Sequence, residues 1–120
     1  MSLDLLLDNA DPSVWKEWIP SGIFRGITTN PTLLKRAGQP CTISNIKYLA
    51  QEAQKLGCKE IHLQAWGKSI KELTCCGLAL SQLTTDSLNV HIKIPITRIG
   101  SDAAKHLITS NIPVTFTACF

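Results

Sequence analysis

The chain has 120 residues, of which 44% are hydrophobic and 18% charged, with a net charge of +3. That length holds one domain, residues 1–120, and the composition is that of a globular chain rather than a disordered one. The basic residues are scattered rather than gathered into a stripe, which argues against a nucleic-acid partner; no apolar run is long enough for a membrane span, and MSLDLLLDNAD, with its acidic interruptions and no basic lead, does not read as a secretory leader.

In chain order, Leu3 to Asp8 (LDLLLD) reads as a short strand. Asp11 and Pro12 open a helix, as N-cap and first helical residue, that runs through Trp18 and stops at Pro20 and Gly22. Phe24 to Thr29 (FRGITT) is a second strand, and Asn30-Pro31 opens a helical turn through Arg36. Thr42 to Leu56 carries Ile43, Ile46, Leu49, Ala50 and Ala53 at helical spacing and ends at Gly57. Glu60 to Trp66 is a third strand, Ser69 to Thr85 a helix, Val90 to Pro95 a fourth strand, Asp102 to Ser110 a helix and Pro113 to Phe120 a fifth strand. Strands alternating with helices imply a parallel sheet with helical crossovers. The two architectures to weigh are an open doubly wound sheet and a (β/α) barrel. A dinucleotide-binding sheet needs a glycine-rich turn after its first strand, and DNADPS has no glycine.

Each strand carries a polar residue near its C-terminal end: Asp8, then Thr28 and Asn30, then Gln64, Lys93 and Thr117. A β/α barrel takes its catalytic groups from those ends, so the arrangement fits a barrel active site. Plainer readings exist for each: Asp8 as a turn or cap, the threonines as strand formers, Asn30 as a helix entry and Gln64 as a satisfied amide. Asp102 reads as a charge at a helix start. His62 and His91 read as packed, hydrogen-bonded strand residues and His106 as a helix-surface residue. The three show no metal-ligand spacing, so no metal is expected. Five cysteines, Cys41, Cys58, Cys75, Cys76 and Cys119, match no zinc or C-x-x-C pattern and read as reduced thiols of a cytoplasmic protein.

Lys93 stands out. In NVHIKIPIT, strand alternation puts Ile92 and Ile94 on one face and His91, Lys93 and Pro95 on the other. An interior lysine is pushed toward its neutral form by desolvation, and a neutral amine attacks carbonyls to form Schiff bases. A carboxylate such as Asp8 could then carry protons. A lysine that snorkels to solvent from the strand end is the other reading, and strand context leaves both open.

GITTNPTLL (Gly26 to Leu34) followed by HIKIPIT (His91 to Thr97) resembles the transaldolase family, most closely its small members, which include fructose-6-phosphate aldolase. LLLDNAD looks like that family's first strand and IPVTFTACF like its fifth, so the resemblance covers essentially the whole chain in order. It implies a parallel (β/α) barrel of TIM type, of which this chain supplies about the first five strands. It implies a class I, Schiff-base enzyme that cleaves or transfers the dihydroxyacetone unit of a ketose phosphate such as fructose 6-phosphate, in the cytoplasm, within carbohydrate and pentose phosphate metabolism. By the family motif Lys93 is the nucleophile and Asp8 the proton carrier. Asn30 hydrogen-bonds the dihydroxyacetone part, with Thr28 of the same segment as a second substrate contact, and Gln64 and Thr117 place the catalytic water. Glutamine rather than glutamate at the end of the third strand leans toward the aldolase branch. The iminium is itself the electron sink, so no cofactor is needed. Asn9 stands where the family usually has threonine, and His62 and Trp66 are not its commonest residues there.

A complete barrel has eight strands and about 250 residues. The reading therefore expects this chain to be part of a longer coding sequence. The family's phosphate-binding serine and arginine, and the aldolase branch's tyrosine, would belong to the missing part, so no phosphate contact is assigned. Ending on a fifth strand leaves two open sheet edges, which makes a homo-oligomer the expected state. The alternative function is a non-catalytic half-barrel, a remnant or a partner-binding protein that self-associates through those edges.

Overall fold

The computed structural model describes residues 5–117. The elements are β1 (Leu5–Asp8), α1 (Pro12–Trp18) with a 3-10 turn (Ile19–Ser21), β2 (Phe24–Thr28), α2 (Pro31–Arg36), α3 (Ile43–Lys55), β3 (Glu60–Gln64), α4 (Ile70–Ser81), β4 (Asn89–Pro95), α5 (Arg98–Thr109) and β5 (Val114–Thr117). The strands form one parallel sheet in the order β1-β2-β3-β4-β5. Strand order follows chain order, as it does in one side of a TIM-type barrel, and the sheet is not closed.

Each helix starts where a short polar side chain satisfies an orphan backbone N–H. Asp11 accepts from Ser13, Asn30 from Leu33, Thr42 from Asn45, Ser69 from Glu72 and Thr97 from Gly100. Helix α4 ends at Ser81 rather than continuing to Thr85. There the Thr84 and Thr85 hydroxyls accept from the backbone of Val90 and Leu88, which holds the chain in a turn instead. Helix α5 starts at Arg98, four residues before the expected Asp102. Gly100 looks like a helix breaker in the sequence, yet a Cβ there would collide with the Pro95 carbonyl oxygen, so close approach to β4 requires the glycine. Strand β3 stops at Gln64, two residues short of Trp66. Residues 118–120 of the expected fifth strand, and with them Cys119, lie outside the described residues.

Alternation along the strands sorts the two faces of the sheet. Ile27, Ile61, Leu63, Val90, Ile92 and Ile94 are buried, in one core with Trp15, Ile46, Leu49, Leu73, Leu80 and Leu107 of the helices. Each such side chain contributes roughly 1.5–3 kcal/mol by leaving water. Thr28, His62, Gln64, His91 and Lys93 point to the opposite face, which a closed barrel turns inward, and are only half-buried. Between β1 and β2 the register slips, Leu5 pairing Phe24 and Leu6 pairing Gly26, so Arg25 is bulged out of the ladder. A Cβ on Gly26 would strike the Glu60 carbonyl, so this glycine lets β2 lie against β3 beside the bulge.

Candidate active site

Lys93 lies on the polar face of β4, and its Nζ donates to Thr28 Oγ1 on β2 at 2.8 Å. Strand β3 lies between them, and next-but-one strands in a flat sheet are about 9–10 Å apart. The lysine therefore arches across the face rather than pointing out along its strand end. Burial lowers its pKa from the ordinary 10.5, and the Asp8 carboxylate pulls the other way. Asp8 is thus within electrostatic reach of the amine. Its own position is fixed by the turn after β1. Asn9 N–H donates to the Thr28 carbonyl at 3.1 Å, Asn9 Oδ1 accepts from Asp11 N–H at 2.6 Å, and the Asn9 carbonyl accepts from the indole N–H of Trp15 at 3.1 Å. Asn9, which stands where the family usually has threonine, holds this turn through its side chain and both backbone groups.

Gln64 stands beside Lys93 in the β3–β4 register. With Trp66, Pro95 and Thr97 it lines a cavity of about 350 Å³ at the C-terminal end of these strands. Thr115, not Thr117, pairs with Lys93; Thr117 pairs with Pro95, one pleat further along. Asn30 follows β2 and spends its Oδ1 on the α2 cap, 2.9 Å from Leu33 N. Of the six residues read from the sequence, Lys93, Thr28, Asp8 and Gln64 come together around the amine. Asn30 and Thr117 lie further toward the strand C-termini.

One pleat below Lys93 and Gln64 lies a cluster that residue spacing did not reveal. His62 and His91 are register partners on β3 and β4, and their rings stack with centroids 4.4 Å apart and planes 1° from parallel. Glu60 Oε1 is 3.0 Å from His62 Nε2, and its Oε2 accepts from Arg25 Nε at 2.9 Å and lies 3.7 Å from His91 Nε2. Asn89 Nδ2 is 3.2 Å from His91 Nε2. Burial would raise the Glu60 pKa, but the hydrogen bonds from Arg25 and His62 and the nearby His91 outweigh it and hold the carboxyl below the ordinary value. Burial, aided by His62, lowers the pKa of His91. Both histidines are packed and hydrogen-bonded, as their strand positions suggested. Combining period-2 alternation with sequential parallel pairing would have put Glu60, His62 and His91 side by side.

The fold and the strand-end polar groups define one side of a (β/α) barrel whose inner face carries a lysine. Residues 5–120 match the family Transaldolase/Fructose-6-phosphate aldolase, and the chain belongs to that family. Similar proteins include a probable transaldolase of Chelativorans sp. (strain BNC1), 28% identical over 118 residues, which cover 98% of this chain and 51% of that protein. Probable transaldolases of Aquifex aeolicus (strain VF5) and Nitrosopumilus maritimus (strain SCM1) are each 30% identical, over 98% of this chain and 51% and 50% of their own lengths. The chain spans about half the length of these relatives.

Proposed function

We propose that this chain carries the lysine side of a Schiff-base active site that cleaves or transfers the dihydroxyacetone unit of a ketose phosphate such as fructose 6-phosphate. The observation that carries the reading is the half-buried Lys93 amine, held by Thr28 and within reach of the Asp8 carboxylate, in a chain of the transaldolase/aldolase family. The neutral amine adds to the ketose C2 carbonyl, and the carbinolamine hydroxyl takes a proton from the acid form of Asp8 and leaves as water, giving a protonated iminium and the Asp8 carboxylate. Asp8 takes the proton from the C4 hydroxyl. The C3–C4 bond breaks, its electron pair enters the iminium to give an enamine, and an aldehyde leaves. In an aldolase the enamine is protonated and hydrolysed to free dihydroxyacetone; in a transaldolase it attacks an acceptor aldehyde. Gln64 and Thr117 offer an amide and a hydroxyl to the water that leaves and returns. Thr28 orients the amine, and the Asn30 amide N–H groups are donors for the dihydroxyacetone hydroxyls.

Borohydride reduction with dihydroxyacetone or fructose 6-phosphate tests this. The expected result is a covalent mass increase on the peptide containing Lys93 and none in Lys93→Met. An adduct elsewhere, or an equal one in the variant, overturns the reading. Among the described residues β1 and β5 are the edge strands of the sheet, which supports a second reading, a non-catalytic half-barrel that self-associates. It predicts no adduct and an oligomer by size-exclusion chromatography, and a folded monomer would count against it.

A further inference from the structure

We infer that Glu60, His62 and His91 form a divalent-cation site, separate from Lys93 and suited to zinc. Each residue offers one ligand atom, and these atoms all lie within 4.8 Å of one another. Two ligands held about 2.1 Å from a tetrahedral zinc are about 3.4 Å apart. The nitrogen–oxygen separations here, 3.0 Å from His62 Nε2 to Glu60 Oε1 and 3.7 Å from His91 Nε2 to Glu60 Oε2, lie on either side of that value, and one ion on both nitrogens needs the two rings to tilt out of their parallel stack so that their lone pairs converge. Two imidazoles and a carboxylate are a donor set zinc takes readily, with the fourth position left to water.

The scaffold supports it. Glu60 and His62 are two residues apart on β3, and His91 faces His62 across the ladder, so backbone pairing fixes all three origins. The imidazoles stack in parallel with both Nε2 atoms near the same carboxylate, an arrangement that offers one carboxylate to two ring nitrogens. The side chains are only 15–32% exposed, so an ion can enter yet lose most of its water to the protein. Arg25 orients Glu60 from outside through Oε2, and the Asn89 amide now on His91 Nε2 would give way to the ion. The ion would join β3 to β4 on the inner face, about 6–7 Å along the strands from the Lys93 backbone, with the Lys93 amine reaching back to Thr28, the register partner of His62.

The test is calorimetric titration of zinc into the chelator-stripped full chain under reducing conditions, with cobalt as a spectroscopic substitute. One ion per chain is expected, and a cobalt spectrum without a thiolate-to-metal charge-transfer band. His62→Gln and His91→Gln should each weaken binding by at least about tenfold. Replacing Cys41, Cys75 and Cys76 together by serine should leave it unchanged. Because Glu60 also holds Arg25, Glu60→Gln risks a folding defect, so the histidine variants, checked by far-UV circular dichroism, carry the test. As a second readout, zinc should shift the imidazole C–H proton resonances of His62 and His91 and spare those of His106. Absence of saturable binding, unchanged affinity in folded histidine variants, thiolate bands, or shifts confined to His106 would each overturn the site.

Discussion

Replacing Trp15 with phenylalanine isolates what fixes the turn behind Asp8. Trp15 is 0% exposed, and its indole N–H donates to the Asn9 carbonyl at 3.1 Å. Phenylalanine removes about 40 Å² of buried surface, about 1 kcal/mol at 25 cal/mol/Å². It also leaves that carbonyl without its donor, which costs about 1–3 kcal/mol. The sum is about 2–4 kcal/mol. With a urea slope of about 1–3 kcal/mol/M, the unfolding midpoint should fall by on the order of 1–2 M. Trp18 is the internal control: it is 48% exposed, and Trp18→Phe should stay within about 0.5 kcal/mol of the parent. Far-UV circular dichroism in urea follows both without relying on the altered tryptophans. If Trp15→Phe shifts the midpoint no more than Trp18→Phe does, the indole bond does not anchor this turn.

Two further outcomes follow from burial. In metal-free buffer Lys93→Met should be more stable than the parent at pH 7, because it removes a half-buried ammonium. Since burial lowers the folded-state pKa of Lys93 below the ordinary 10.5, the folded chain binds fewer protons than the unfolded chain between those two values. Parent stability therefore rises with pH through that window, and the advantage of Lys93→Met should shrink toward pH 10.5, as urea midpoints at neutral and alkaline pH would show. An advantage that grows with pH would contradict the burial argument. Cys58 is 3% exposed, and burial pushes its thiol from 9.0 up to about 11. At pH 8 it then holds about 100-fold less thiolate than an unperturbed thiol. Iodoacetamide followed by peptide mapping should label the exposed Cys41 and Cys75 in the native chain and Cys58 only after unfolding. Native labelling of Cys58 at the rate of Cys75 would refute this.

The sheet was legible because a strand buried on one face writes its period of two into the chain. His91, Lys93 and Pro95 separate from Ile92 and Ile94 by counting alone. Helix starts were legible where Asp11, Asn30 and Thr42 cap the following turns, since a short polar side chain before an apolar periodic run has a local cause. Helix α5 was misjudged because Gly100 is there for tertiary reasons, a carbonyl pressed against its Cα, which no local pattern displays. Three of the other five strand-end residues, Thr28, Asp8 and Gln64, lie next to Lys93 or within electrostatic reach of its amine, which sequential parallel pairing of the strands explains. The Lys93–Thr28 bond was not legible, because it depends on a side chain crossing an intervening strand. The Glu60–His62–His91 cluster escaped for a related reason: its members are neighbours through ladder register, and ligand-spacing rules count along the chain.

The strand order has a consequence for biosynthesis. Every strand pairs with the one made just before it, so a nascent chain leaving the ribosome meets its next partner already in place. Assembly can proceed unit by unit from the N-terminus, each closure spanning a single helical crossover, which keeps the loop entropy of each step small. Lys93 and its partner Thr28 are the exception: two crossovers separate them, so the amine finds its hydroxyl only after the fourth strand has docked on the third.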